Sequence, residues 1–315
     1  MKRIHVFGPV PSRRLGRSLG VDLTPAKTCS LDCRYCQLTP TQTPIAERGN
    51  FVDTDLVLRE LKAVLAEIDP PDWITFSGTG EPTLHIGLGK LLREIREMSS
   101  RPICVITNGT LLGRPDVRED LMFADRVMPT LTTVDEETFR RIHRPSPGII
   151  LSDILDGLHT FLMSFTGFIE IETFVLPGIN NSPELVTALG KFLRSLPRLD
   201  AIYLNTAVRT PVDPTIRAAT AEELKHFREL LAISKTLVTT ALDCNAIPAV
   251  PGRSRTVKDD EILGLLLRHP CTIEQLAAVL GAPAEYISER IDILMMAGDV
   301  ARNPDSTWRI RANEK

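Results

Sequence analysis

The chain has 315 residues, of which 43% are apolar and 24% are charged, and its formal net charge is −3. This composition is typical of a soluble globular protein, and the slightly acidic balance provides no general basic field for nucleic acid. No apolar run reaches the roughly 18 residues that cross a bilayer, and the amino terminus lacks the apolar part of a signal peptide, so we expect a cytoplasmic protein without membrane contact.

Short apolar segments alternate with longer amphipathic ones from the amino terminus onward. Segments of strand length occupy residues 19–23, 73–76, 103–107, 126–131, 168–175 and 201–205. Helical spacing of apolar residues marks 53–68, 88–98, 150–165 and 183–196, with candidate N-caps at Thr54, Asp55, Ser152 and Ser182. Six strand–helix units predict an α/β fold with a parallel sheet, either a partial (β/α)6 barrel or a doubly wound sheet. In both folds the functional residues lie at the carboxyl ends of the strands.

Three clustered cysteines follow the first of these strands. Cys29, Cys33 and Cys36 form a C-x3-C-x2-C sequence. Three thiolates can bind three irons of a [4Fe–4S] cluster and leave the fourth iron open to a cofactor or substrate. The spacing alone leaves two alternatives, a zinc site with a distant fourth ligand or three unrelated thiols. Six cysteines in a chain without an export signal favour a reducing cytoplasm and metal binding over disulfides.

The next two strands end in turns that could approach a ligand. The third strand ends at Asn108, and the second is followed by Gly78, Thr79, Gly80, Glu81 and Pro82. Glycines allow backbone carbonyls and amides to come close to a bound molecule. Glu81 would offer a carboxylate to a cationic group such as an ammonium. An ordinary βα turn is the alternative interpretation.

The cysteine and glycine motifs together resemble those of the radical S-adenosylmethionine (SAM) superfamily. Both occur in the family's order and after the expected strands, and the resemblance covers residues 15–210. Tyr35 stands at the usual aromatic position before the last cysteine, and Thr79 replaces the second glycine of the family's GGEP motif. The resemblance implies a partial (β/α)6 TIM-like barrel in which Cys29, Cys33 and Cys36 bind the cluster.

The resemblance also implies the cofactors, the chemistry and a partner. The open iron of a [4Fe–4S] cluster would bind the amine and carboxylate of SAM, and one electron would cleave SAM to methionine and a 5′-deoxyadenosyl radical. That radical would abstract hydrogen from a substrate in a dry barrel. A protein such as flavodoxin or ferredoxin would supply the electron. Tyr35 would lie near the adenine, and residues 78–82, including Glu81, would contact the methionyl amine.

Polar residues on two later strands are further candidates for ligand contacts. Thr130 and Thr132 could meet the ribose or the methionyl carboxylate of SAM, or their hydroxyls could bond local backbone. Glu170 and Glu172 lie on one strand face. They would contact cofactor or substrate, or else form a salt-bridged core pair.

Residues at two further places are candidates for binding adenine or an anion. Asn205 and Arg209 follow the sixth strand, and Arg13, Arg14 and Arg17 precede the first. The guanidinium group matches phosphate and carboxylate geometry. A solvated turn at residues 13–17 and a surface arginine at 209 are the plainer interpretation.

The last part of the chain is predicted to form a separate small domain. We expect a radical SAM barrel over residues 1–245, a linker over 246–257 and a winged-helix-like domain over 258–315. Residues 258–315 hold seven Lys and Arg against ten Asp and Glu, and the helix that would read DNA carries Glu285, Glu289, Asp292 and Arg290. Because a DNA-reading helix is normally basic, we expect a protein-contact or lid module, and DNA binding is disfavoured.

Within the superfamily, residues 7–37 and the VLPGINN sequence at 175–181 resemble the wyosine-synthase-like branch. True wyosine synthases modify a tRNA base and are expected to bind a second cluster through upstream cysteines, but this chain has no cysteine before Cys29. Three functions stay open. The first is a radical enzyme that acts on a small molecule, a nucleotide or tRNA. The second is an activase or peptide modifier that binds its partner through the C-terminal module. The third is an iron–sulfur sensor that reads DNA. The motif for SAM disfavours the sensor.

Overall fold

The structure is a computed structural model that describes residues 4–12, 14–38, 43–207, 211–234, 236–240, 257–268, 270–303 and 306–311. Two predicted site residues, Arg13 and Arg209, lie outside the described residues, as do residues 246–256 of the predicted linker. Within the described ranges, none of the helices combines the length and the apolar character needed to span a bilayer.

In the described residues, eight strands form one sheet in chain order. They are β1 (Val6–Ser12), β2 (Gly16–Val21), β3 (Trp73–Phe76), β4 (Ile103–Thr107), β5 (Arg126–Pro129), β6 (Phe168–Phe174), β7 (Ala201–Asn205) and β8 (Leu237–Thr240). β1 pairs antiparallel with β2, and every later neighbour is parallel. Because sheet order follows chain order, the sheet is wound in one direction, which confirms the partial barrel and excludes the doubly wound sheet. The edge strands β1 and β8 were not predicted.

Between these strands, the part of the chain that the structure describes forms seven helices, and a 3-10 turn at Pro82–Leu84 follows β3. The helices are α1 (Thr54–Glu67), α2 (Leu88–Met98), α3 (Pro115–Leu121), α4 (Glu136–His143), α5 (Leu151–Ser164), α6 (Pro183–Ser195) and α7 (Ala221–Leu231). Ser182 caps α6 as predicted. α1 is capped by Asp53 rather than Thr54 or Asp55, and the cap residue of α5 is Ile150 rather than Ser152.

Each parallel strand separates an apolar outer face from a more polar inner face. On β6, Ile169 and Ile171 are fully buried in the main core beneath the helices. Glu170 and Glu172 alternate with them and therefore point to the opposite, inner face of the sheet. This alternation places the chemically interesting side chains inside the partial barrel, whereas the helices stabilise it from outside.

The C-terminal elements pack against the antiparallel edge of the sheet. They are α8 (Asp259–Arg268), α9 (Ile273–Leu280), α10 (Ala284–Met296) and the hairpin β9 (Val300–Arg302) and β10 (Trp308–Ile310). Phe7 and Val10 of β1 lie in the same apolar cluster as these elements. The order of three helices and a hairpin is that of a winged helix, and the domain boundaries themselves stay a prediction.

A buried carboxylate anchors the amino-terminal strand to α1. Glu60 is 2% exposed and lies on the same side of the helix as Leu61 and Val64. Its Oε1 accepts hydrogen bonds from the amides of Ile4 at 2.7 Å, His5 at 3.1 Å and Val6 at 2.9 Å. Hydrogen bonds to a charged acceptor contribute about 1.5 to 3 kcal/mol each. One side chain thus fixes where β1 begins.

We expect Glu60→Ala to lower the free energy of unfolding by about 2 to 3 kcal/mol, since three amides would lose a charged acceptor. Urea denaturation followed by circular dichroism measures this. Glu94→Ala is the matched control, because Glu94 meets the exposed Lys90 at 3.7 Å and should change stability by less than about 1 kcal/mol. Equal losses in the two variants would contradict the anchoring role.

Candidate functional site

The cysteine loop, which follows β2 and carries Cys29, Cys33 and Cys36, meets the glycine turn (residues 78–82) at one edge of the sheet. The loop follows β2 and the turn follows β3, and these strands are parallel neighbours. Two backbone hydrogen bonds join them directly. Lys27 N donates to Thr79 O at 2.7 Å, and Glu81 N donates to Thr28 O at 2.9 Å. The fold therefore brings the two predicted motifs into contact at the carboxyl ends of their strands.

Close packing requires both glycines of the turn. A Cβ atom on Gly78 would lie 2.2 Å from Asp22 Cγ, and one on Gly80 would lie 2.1 Å from Thr28 O. Between them, the Thr79 hydroxyl and amide each donate to Asp22 Oδ2 at 3.0 Å. The threonine hydroxyl thus adds a bond between the turn and the end of β2 that glycine, which has no side chain, could not form.

The carboxylate of Glu81 is buried and fully engaged beneath the turn. Its Oε1 accepts from Thr83 N at 3.0 Å, Thr83 Oγ1 at 2.6 Å and Thr107 Oγ1 at 2.6 Å, and its Oε2 accepts from Asn108 N at 2.7 Å. Burial raises the pKa of Glu81, and these donors oppose the shift. The sequence predicts a carboxylate that faces an ammonium. In the structure it joins the ends of β3 and β4, because backbone amides and hydroxyls of both segments converge on it, and its contact with an ammonium stays a prediction. Pro82 starts the 3-10 turn that supplies two of these donors, the amide and the hydroxyl of Thr83.

Asn108 lies beside the first cysteine. Its Nδ2 is 3.4 Å from Cys29 Sγ and donates to Ser30 Oγ at 2.9 Å. Its Oδ1 accepts from Thr110 N at 3.0 Å. Because an amide nitrogen can only donate, this last bond settles the orientation of the Asn108 side chain, with the NH2 group toward the sulfur. The predicted site residue is therefore in contact with the cysteine loop.

The C-terminal end of α4 brackets the second cysteine. Asp32 N donates to His143 O and Arg34 N donates to Ile142 O, both at 2.9 Å. Between these bonds, His143 Nδ1 lies 3.1 Å from Cys33 Sγ. Burial lowers the pKa of His143 to about 3, so the imidazole is neutral at neutral pH. A helix that is distant in sequence thus holds Cys33 in place.

The predicted residue Thr132 meets the far side of this imidazole. Thr132 Oγ1 lies 2.6 Å from His143 Nε2, and the side chain is buried. Its hydroxyl is therefore engaged within the protein rather than presented to a ribose. Thr130 is half-buried at the end of β5 and forms a parallel bridge with Glu172. Of the two threonines, Thr130 stays the candidate for a cofactor contact.

Lys27 connects the glycine turn with the third cysteine. Its backbone has φ 62°, in the left-handed region that is uncommon for a residue with a side chain. Its amide bonds Thr79, and its Nζ donates to Cys36 Sγ at 3.2 Å. On the other side, Val212 N donates to Cys36 O at 2.9 Å. The segment after β7 thus lies against the cysteine loop.

The three half-buried thiols have the chemistry of cluster ligands. Burial, followed by the charge of Glu81, raises the pKa of Cys29 to about 12, and burial raises the pKa of Cys33 well above its usual range. Iron binding must therefore displace thiol protons. Among the described residues, no three His, Cys, Asp or Glu side chains lie close enough together to hold a single metal ion. In a cubane cluster each sulfur binds a different iron, and three thiols of one loop supply that kind of donor.

Tyr35 forms part of an aromatic wall next to the cysteines. Its ring stacks on Phe174, with centroids 4.0 Å apart and planes 9° from parallel. It meets the imidazole of His143 edge-on at 5.7 Å. Phe174 therefore covers one face of the ring, and an adenine contact of Tyr35 stays a prediction.

Glu170 and Glu172 belong to an ion-pair network inside the partial barrel. Arg14 Nη1 lies 3.1 Å from Glu170 Oε1, and Arg14 Nη2 lies 3.2 Å from Glu172 Oε1. Arg126 Nη2 lies 2.6 Å from Glu170 Oε2, and the Arg14 guanidinium lies 4.3 Å from the Tyr203 ring centroid. Burial alone would lower the pKa of Arg14, but the two carboxylates raise it above its usual value. Glu170 and Glu172 are therefore salt-bridged, which was one of the two interpretations of these glutamates in the sequence analysis.

Of two further predicted residues, Asn205 lies inside the partial barrel and Arg17 lies away from it. Asn205 Nδ2 donates to Glu172 Oε1 at 2.9 Å, so Asn205 shares the inner network. Arg17 lies at the start of β2, and its guanidinium is 3.4 and 3.5 Å from the carbonyls of Asp69 and Pro70. Because the cysteine loop follows the opposite end of β2, the structure places Arg17 apart from the site.

Three residues of the site were missed at the sequence level. Asp22 and Lys27 lie between β2 and Cys29. A carboxylate at the carboxyl end of a strand and a lysine beside the cysteines are signals that the sequence contained. His143 lies 110 residues beyond Cys33. No local pattern marks it, because only the packing of α4 brings it to the sulfur.

Comparison with known proteins adds the family. The model of the Radical SAM superfamily matches residues 23–188. A UPF0026 protein of Methanocaldococcus jannaschii is 33% identical over 280 residues, which cover 87% of this chain and 85% of that protein. A Brachyspira hyodysenteriae protein named GTPase Obg is 33% identical over 301 residues, and these cover 95% of this chain but 44% of that protein. This chain therefore spans less than half the length of the Brachyspira relative.

Among solved structures, Streptococcus suis SuiB bound to the precursor peptide SuiA has a similar fold. The TM-score is 0.54 at 16% identity, and the match covers 70% of this chain and 48% of that one. None of these three proteins bears the name of a wyosine synthase, so membership of that branch stays a prediction. From the family model, the relatives and the fold together, the chain belongs to the UPF0026 family and to the radical SAM superfamily of enzymes.

Proposed function

We propose that this chain uses a [4Fe–4S] cluster, held by Cys29, Cys33 and Cys36, to cleave S-adenosylmethionine reductively. One observation carries the proposal: the three thiols sit at the carboxyl edge of the sheet and are joined to the glycine turn by two backbone hydrogen bonds. When bound, the cluster would supply the electron that turns SAM into methionine and a 5′-deoxyadenosyl radical. The chain's own residues hold the ligands and exclude water.

The backbone of the glycine turn, rather than Glu81, is the proposed contact for the methionyl amine. The Glu81 carboxylate already accepts four hydrogen bonds within the protein. Gly78 and Gly80, in contrast, have no side chains and lie directly beside the cysteine loop. In this proposal Glu81 holds the glycine turn in position and does not itself contact the methionyl amine.

The inner network suggests a polar substrate. Arg14 reaches from the β1–β2 hairpin into the partial barrel and pairs with both glutamates. Glu170 is also paired with Arg126 and is the more deeply buried of the two, whereas Glu172 keeps 12% of its side chain exposed. We therefore assign a substrate-facing role to Glu172 and Asn205 and a structural role to Glu170. Small molecules, nucleotides and tRNA all carry suitable polar groups, and a flavodoxin or ferredoxin is the expected reductant.

A peptide or protein substrate is the second candidate, and the surface of α10 favours it. Glu285, Glu289 and Asp292 are exposed on that helix. Arg290, its basic residue, is engaged with Asp259 at 2.9 Å. An acidic helix repels DNA, which disfavours the sensor, and SuiB is a protein of related fold that was solved with a peptide.

Reconstitution tests the primary proposal. After anaerobic loading with iron and sulfide, we expect bound iron and sulfide in near-equal amounts, and dithionite plus SAM should yield 5′-deoxyadenosine by mass spectrometry. Cys33→Ala should reduce the yield to the level without protein, since a cluster iron loses its ligand. Cys271→Ala, a buried cysteine of the C-terminal elements, should retain the yield. A wild-type chain that binds one zinc ion and no sulfide would sink the proposal.

Glu81→Gln distinguishes a supporting role from a direct contact. The amide would place an NH2 group against amide and hydroxyl donors, so we expect the unliganded protein to lose about 1 to 3 kcal/mol of stability. Thermal unfolding without cluster or SAM measures this, and Glu97→Gln on the exposed surface of α2 is the control. Unchanged stability combined with weaker SAM binding would favour the direct contact instead.

The peptide alternative predicts an effect confined to the C-terminal surface. If added peptide pools stimulate 5′-deoxyadenosine formation, Glu285→Lys/Glu289→Lys should abolish most of that stimulation by charge reversal and leave the unstimulated yield intact. Glu97→Lys on α2 should change neither. Stimulation by tRNA or by metabolite extracts, with no response to peptides, would reject this alternative.

A further inference from the structure

Each cysteine sulfur of the loop has one side-chain nitrogen within hydrogen-bonding distance. The pairs are Asn108 Nδ2 with Cys29 at 3.4 Å, His143 Nδ1 with Cys33 at 3.1 Å, and Lys27 Nζ with Cys36 at 3.2 Å. We propose that these three residues are positioning residues that set the reduction potential of the cluster. The inference rests on the proposed function, because it requires that the thiols bind iron.

The three donors come from separate parts of the fold. Lys27 lies in the loop after β2, Asn108 follows β4, and His143 ends α4. Asn108 and His143 are 79 and 110 residues from the cysteines that they meet, so local chain geometry does not place them, whereas Lys27 belongs to the cysteine loop itself. Two other donors, the Leu31 amide at Cys29 and the Tyr35 hydroxyl at Cys33, do lie next to the cysteines in sequence. The long-range nitrogens are the ones that need a separate explanation.

The direction of each proton can be derived from the partners. An iron-bound cysteine is a thiolate and can only accept, so His143 must carry its proton on Nδ1. Nε2 is then the acceptor for the Thr132 hydroxyl, which lies 2.6 Å away. This explains why a threonine on the inner side of the barrel is engaged with a histidine. Thr132 fixes the tautomer in which His143 donates to Cys33.

Lys27 differs from the other two donors because it brings a positive charge. Its Nζ lies 3.2 Å from Cys36 Sγ and 3.9 Å from Asp32 Oδ1, so the carboxylate offsets part of that charge. The left-handed backbone at Lys27, held by its bond to Thr79, determines where the side chain starts. The lysine thus links the position of the glycine turn to the electrostatic potential at the third sulfur.

Reduction adds one electron whose charge is shared with the sulfurs. Hydrogen bonds to sulfur stabilise the more negative, reduced cluster and so raise its potential. Removing a donor should lower the potential and make the cluster harder to reduce. A charged donor should have a larger effect than a neutral amide at similar distance, so we expect the order Lys27, His143, Asn108.

Redox titration of the reconstituted protein tests this without SAM or substrate. The reduced cluster is followed by electron paramagnetic resonance, alongside iron and sulfide content. At the potential that half-reduces wild type, His143→Leu should lower the ratio of reduced to oxidised cluster by about tenfold, which for a one-electron couple is about 59 mV, and Lys27→Met should lower it further. Lys27→Arg and His143→Asn, which keep a nitrogen donor near the sulfur, should stay within about threefold of wild type.

Matched controls remove the same residue types elsewhere. Lys90→Met removes an exposed lysine that pairs with Asp55, and His85→Leu removes a fully buried histidine bonded to Val52 and Gly87. Both should leave the potential unchanged. A shift in His85→Leu equal to that in His143→Leu would attribute the effect to general loosening and overturn the inference.

The outcomes separate this inference from the function on which it rests. Wild type that takes up no cluster would overturn the proposed function. Wild-type potential in Lys27→Met and His143→Leu, both with full cluster, would overturn only the role of the donors. If His143→Leu loses its cluster, Lys27→Met decides, since it removes a donor at the edge of the site. An unchanged potential there would overturn the inference.

Discussion

The site depends on the contact between the cysteine loop and the glycine turn. Asp22, directly after β2, accepts two hydrogen bonds from Thr79, and the backbones of Lys27 and Thr28 bond the same turn. Thr28 and Thr79 are 51 residues apart in the chain. Parallel pairing of β2 with β3 makes their two segments adjacent. Gly78 and Gly80 permit the approach because any Cβ there would overlap the neighbouring segment. The thiols, the turn and the proposed SAM site are therefore one unit.

A second layer of contacts holds this unit in place. Glu81 joins the turn to β4 through Asn108, and the end of α4 holds both sides of Cys33 through backbone bonds. Inside the partial barrel, Arg14 compensates the charges of Glu170 and Glu172. Each arrangement places a polar group where it is satisfied by protein partners, since an unpaired buried group is costly. The protein thus pairs the polar groups named here beside the proposed ligand site.

Elements with strong local patterns were predicted well. β3, β4, β7 and α2 have the predicted bounds, because their apolar runs are short, regular and bounded by polar turns. β1 escaped prediction because Phe7 and the partly buried Val10 pack in one apolar cluster with residues of α8–α10, which are distant in sequence. The surroundings of Arg17 and Glu81 show a different limit. Residue type alone places neither side chain, since the start of β2 and the buried base of the turn are positions that only the packed sheet defines.

The resemblance of the two sequence motifs indicated the superfamily and predicted the cluster ligands, and apolar periodicity indicated the strand–helix order, because both kinds of pattern lie within short segments. Only the tertiary structure decided which side chains surround the cysteine sulfurs and which carboxylates are paired with arginines. His143 reaches Cys33 across 110 residues, and Glu170 is paired with two arginines from different elements. Such contacts arise when helices and strands pack around a common core, and the spacing of residues along the chain does not encode them in any local pattern.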